Sequence, residues 1–146
     1  LDYIRWIMGE VKTVYCLAGK ISGLQMDAED TAEILLETKN KQFIEVHLDY
    51  VQKQYTRNCK IICEKGEVSW DFNQKKTVLL FGKGRKKEFV EKKEFAQCYL
   101  DEAREFFGKI GGKKATKILD GENALKVLQI ALAARKSSEK NKVIQL

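Results

Sequence analysis

The sequence predicts an α+β domain: an open, largely antiparallel, twisted sheet of about six strands with helices packed on one face. Between Val11 and Phe81, short β-branched and aromatic runs recur at close intervals, separated by Asn and Gly. After Glu94 the apolar spacing changes to that of a helix. Proline is absent from all 146 residues, so every break depends on Gly and Asn.

In chain order, residues 2 to 8 read as a short helix, with Leu1, Ile4, Ile7 and Met8 on one side and Gly9 as its stop. Strand runs follow at 11–17, 31–38, 43–51, 57–64, 67–72 and 77–81, with a weaker one at 87–91. Asn40 offers a left-handed turn position between the second and third runs. Gly66, Gly82 and Gly84 serve the later turns. Such short connections make neighbouring strands antiparallel. Ile44, Val46, Leu48 and Tyr50 oppose Glu45, His47 and Asp49, and Val68, Trp70 and Phe72 oppose Ser69 and Asp71. One sheet face is therefore apolar and the other mixed. Phe95, Tyr99, Ala103, Phe106 and Ile110 make a helical stripe that ends at Gly111-Gly112. Asp120 suits the N-cap of a final helix, with Glu122 near its positive end. That helix is apolar around most of its circumference and is expected to be deeply covered.

The length suits one domain with a real core, residues 1–146, and the apolar spacing begins at Leu1 itself. The expectation is a piece cut from a longer protein, because native termini usually fray. No apolar run approaches the roughly 20 residues that cross a bilayer. The net charge of +6 is carried almost wholly by Lys. Readers of bases and phosphates lean instead on the bidentate fork of Arg, which argues against a nucleic-acid partner. Cys16, Cys59, Cys63 and Cys98 form no metal-binding spacing and read as free thiols, which points to a reducing, cytoplasmic setting.

A self-contained active site is not evident. Gly82-Lys83-Gly84 lacks the spacing of a phosphate loop, and no dinucleotide fingerprint occurs. His47, the one histidine, reads as a polar residue of the sheet face. Asp27, Glu29 and Asp30 read as solvated charge, without the spacing of a calcium loop.

The opening Asp2-Tyr3-Ile4-Arg5-Trp6-Ile7-Met8-Gly9 resembles the D-x-x-x-W-h-x-G helix that begins the C-terminal domain of the glucose–fructose oxidoreductase/inositol dehydrogenase/MocA family. Asp27-Ala28-Glu29-Asp30-Thr31-Ala32 is similar to that family's entry to a strand. The likeness continues through Leu48-Asp49-Tyr50 with Arg57, Gly66-Glu67-Val68-Ser69-Trp70-Asp71 and Tyr99-Leu100-Asp101-Glu102. It closes with Asp120-Gly121-Glu122-Asn123 and the pair Ser137-Ser138.

The resemblance implies a C-terminal substrate-binding and oligomerisation domain, with NAD or NADP held on an N-terminal Rossmann domain that this chain lacks. It implies hydride exchange between a sugar or polyol and the nicotinamide, with a catalytic Lys and His that would precede Leu1. This chain alone is then expected to bind no cofactor and to carry no catalytic residue. Asp2, Arg57 and Tyr99 are its substrate-binding candidates. Asp2 is either a contact to the substrate or catalytic His, or an acid favoured by the helix dipole. Arg57 meets either a substrate carboxylate or phosphate or acidic neighbours on the sheet, the second favoured. Tyr99 either borders the substrate or belongs to the core, again the second favoured. The partner implied by the open sheet face is a second copy of the chain, in a dimer or tetramer. The contrasting expectation is a freestanding α+β interaction module with no enzymatic parent.

Overall fold

The computed structural model describes residues 1–113 and 121–146. The chain divides into two compact units, residues 1–51 with 108–146 and residues 52–107.

In the first unit, α1 (Asp2–Met8) leads into β1 (Val11–Gly19), β2 (Thr31–Thr38) and β3 (Phe43–Asp49). The unit closes with α3 (Gly121–Lys140) and β8 (Ile144–Gln145). The sheet order is β3-β2-β1-β8, and every pairing is antiparallel. Val14 and Cys16 pair with Leu36 and Ile34, which pair in turn with Ile44 and Val46. These side chains share the inner face because strand residues alternate sides. Ile4 of α1 and Ile130, Ala133 and Ala134 of α3 complete the buried cluster. Small alanines let the helix lie close on β1. Arg5 fixes α1 to the start of α3: its guanidinium donates to Glu10 at 2.9 and 3.2 Å and to Asn123 Oδ1 at 2.7 Å.

The second unit holds β4 (Asn58–Cys63), β5 (Gly66–Asp71), β6 (Lys76–Phe81) and β7 (Lys86–Val90), paired in sequence order as an antiparallel meander. Cys59, Trp70, Thr77 and Phe89 lie across one face, as do Ile61, Val68 and Leu79. α2 (Phe95–Ile110) begins in this unit.

The α+β class and the antiparallel pairing stand. The strands number eight among the described residues, however, and form two four-stranded sheets in place of one sheet of about six. β8 has only two residues, too short to leave a periodic signal. Two local expectations are corrected. At the β2–β3 turn the left-handed residue is Lys41 (φ 61°), not Asn40. α3 is covered along one stripe only, leaving Leu125, Leu128 and Leu132 exposed. Its apolar circumference exceeds what a single sheet face can cover. The Asp120 cap lies outside the described residues.

Candidate functional site

The second unit gathers aromatic side chains around Arg57. Alternation along β5 puts Trp70 on the apolar face, and Phe72 follows just past the strand end. Their ring centroids are 6.1 Å apart, edge to face. The Arg57 guanidinium lies over both rings, 5.6 Å from each centroid, where the negative π-face attracts it. Tyr55 meets Phe72 at 6.1 Å, Phe95 meets it at 5.4 Å, and Tyr99 stacks edge-on to Phe95 at 5.2 Å.

Two candidates, Arg57 and Tyr99, thus belong to one connected cluster. Tyr99 is mostly exposed, so it rims this cluster and does not belong to a core. The resemblance singled it out, whereas the helical stripe pointed to the core, because a stripe gives direction and not what lies opposite. Tyr55, Trp70 and Phe72 were missed as site residues. Tyr55 stands two positions from Arg57, but Trp70 and Phe72 are 13 and 15 positions away, so no local signal joined them to it. An aromatic floor under a fixed guanidinium can stack on apolar C–H faces and pair with an anionic group.

Asp2 stands exposed in the first turn of α1, in the other unit. The acidic residues of the 20–30 loop take separate roles. Asp30 is buried and accepts from the Ile21 and Ser22 amides at 2.9 and 3.0 Å, from the Ser22 hydroxyl at 2.5 Å and from the Thr31 hydroxyl at 3.3 Å. The Ser22 hydroxyl, with the Ile21 amide next, holds its carboxyl down to about 2. Solvated charge is thus wrong for Asp30, which pins the loop. Asp27 and Glu29 line a shallow recess of about 400 Å³ with Lys20 and Arg135.

His47 sits on the outer face of the first sheet between two carboxylates. Nδ1 lies 2.5 Å from Glu33 Oε1 and Nε2 lies 2.8 Å from Asp49 Oδ2. Hydrogen bonding to Glu33, then to Asp49, raises its pKa above the ordinary value. No group of three or more metal-ligating side chains occurs among the described residues.

A dinucleotide needs a strand, a glycine-rich turn and a helix N-terminus aimed at its pyrophosphate. Among the described residues every strand pairing is antiparallel, and no strand runs through such a turn into a helix.

The profile of an oxidoreductase family's C-terminal alpha/beta domain, Gfo/Idh/MocA, matches residues 1–146. The chain belongs to that family.

Solved structures agree on the fold. An oxidoreductase from Thermotoga maritima is 23% identical with a TM-score of 0.79, the match covering 99% of this chain and 44% of that one. An oxidoreductase from Agrobacterium radiobacter, solved with NAD+, L-tartaric acid and magnesium, is 17% identical with a TM-score of 0.82 over 99% and 46%. Levoglucosan dehydrogenase, solved with NADH and levoglucosan, is 12% identical with a TM-score of 0.82 over 99% and 47%. The chain thus spans under half the length of the structures it matches. No curated protein matches it. Among the described residues no helix is long and apolar enough to cross a membrane.

Proposed function

We propose that this chain forms the substrate-side wall and the self-association sheet of a cytoplasmic NAD(P)-dependent sugar or polyol dehydrogenase. The observation that carries the reading is the family match over residues 1–146. It favours an enzymatic parent over a freestanding interaction module. Relatives of the same fold were solved with NAD+ or NADH and with polyhydroxylated ligands, levoglucosan and L-tartaric acid. In this reading the cofactor belongs to a companion dinucleotide-binding domain, supported by the relatives solved with NAD+ or NADH, of which this chain spans under half the length.

Arg57 and Tyr99, with the rings between them, suit a polyhydroxylated substrate. Aromatic faces stack on sugar C–H groups, the tyrosine hydroxyl hydrogen-bonds, and the guanidinium meets any carboxylate or phosphate the substrate carries. Asp2, exposed on α1 of the first unit, is a separate candidate, an acceptor for a substrate hydroxyl in its own right. In the intact oxidoreductase, Arg57→Ala and Tyr99→Ala raise KM for the sugar with little change in kcat, the signature of lost ground-state binding. Unchanged steady-state constants in both variants would remove the cluster from the substrate wall.

The partner is a second copy, met through the outer face of the first sheet. Leu17, Leu35 and Phe43 are 55%, 54% and 85% exposed there, among Glu33, Glu45 and His47. Such a face suits isologous pairing into a dimer or tetramer. Sedimentation should show an oligomer that Leu35→Lys with Phe43→Lys converts to monomer. A monomer at every concentration of the unaltered chain contradicts the assembly role.

A further inference from the structure

We propose that His47 is a proton-operated clasp that fastens the edge strand β3 to β2. Glu33 and His47 are register partners, and among the described residues β2 is the one strand that pairs with β3. The imidazole bridges Glu33 of β2 at 2.5 Å and Asp49 of β3 at 2.8 Å. The second oxygen of Asp49 accepts from the Val51 amide at 2.8 Å, where the chain leaves β3 for the second unit. The remaining titratable group of β3 on this face is Glu45, two residues before the ring. From β1, the residue in register with Glu33 is the uncharged Leu17.

The bridge needs a proton. An imidazolium donates from both nitrogens, whereas the neutral ring has a single N–H. With one donor, one carboxylate must face a nitrogen lone pair, and the two carboxylates are unequal. The Asp49 side chain is 3% exposed and the Glu33 side chain 48%. Glu33 can turn into water at little cost, but Asp49 cannot. The last N–H therefore stays with Asp49, and Glu33 lets go. The outer face then gains an uncompensated negative charge and the hairpin loses its side-chain tie at the end away from its turn.

The direction in pH follows from the raised pKa. The clasp is fully present below the ordinary histidine value of 6.5 and is lost as pH rises through the folded value. Both strands belong to one chain, so the clasp forms within a single copy, where Glu33 faces water.

NMR of the His47 ring with amide hydrogen exchange, from about pH 5 to about 9 across the histidine range, tests the clasp. His47 should titrate above the ordinary value, and Glu33→Gln should bring the midpoint down. Protection factors of the amides at the end of β3 and at Val51 should fall about two- to tenfold on deprotonation, the range set by one net hydrogen bond. In His47→Gln they should stay level with pH. An ordinary midpoint that Glu33→Gln leaves unmoved overturns the clasp. So does a pH dependence of protection that survives in His47→Gln.

Discussion

Ser137 is fully buried in α3, and its hydroxyl holds the helix to the sheet. It accepts from the Cys16 amide at 2.9 Å and donates to the Lys142 carbonyl at 2.7 Å. Ser138 repeats the device on Ala18, accepting from its N–H and donating to its C=O. β8 covers the edge of β1 only at Thr13 and Val14, so the serines satisfy the strand where β8 stops. Ser137→Ala leaves the Cys16 amide without its acceptor in the core and should cost about 1–3 kcal/mol in urea unfolding. Asp30 gives a pH-dependent counterpart. Its folded pKa of about 2 lies below the ordinary 3.8, so its contribution is present above pH 3.8 and lost as pH falls toward 2. Asp30→Asn should flatten that part of the acid-unfolding profile; an unchanged profile removes the role. The serine pair and the acidic run both stood out in the sequence as marks of resemblance. Their partners did not, because Ser137 and Cys16 lie 121 positions apart and no local pattern encodes such a meeting.

The strands and helices were largely legible, because alternation and helical stripes are local consequences of which face is covered. What was not legible depended on the opposing surface. Trp70 and Phe72 alternate as expected on and beyond β5, yet nothing local says that Arg57 lies over them. Gly66 is the clearest case in which local sequence and packing agree. At φ 153° it opens β5, and a Cβ there would collide with the Leu80 carbonyl of β6. Gly66→Ala should therefore destabilise the second unit by about 1–3 kcal/mol, as strained backbone positions do. Wild-type stability in that variant, measured by thermal unfolding, contradicts the close approach. Lys41 shows the opposite outcome: a lysine takes the left-handed position beside an asparagine better suited to it. The next bond explains the choice. Thr38 and Gln42 pair side chain to side chain at 3.0 Å, while the Lys41 amide donates to the Thr38 carbonyl at 3.0 Å, which places the tight turn at 41.

At the scale of the molecule, the exposed stripe of α3 and the mixed outer face of the first sheet belong to a chain that spans under half the length of its structural relatives. Its described strands, all antiparallel, offer no helix N-terminus in the place a pyrophosphate needs. The function proposed for it is a division of labour, with substrate contacts and assembly on this chain and the dinucleotide elsewhere. Fluorescence titration of the chain with NADH tests it most directly. No saturable change in nucleotide or tryptophan emission is expected, and saturable binding at micromolar NADH would overturn the division.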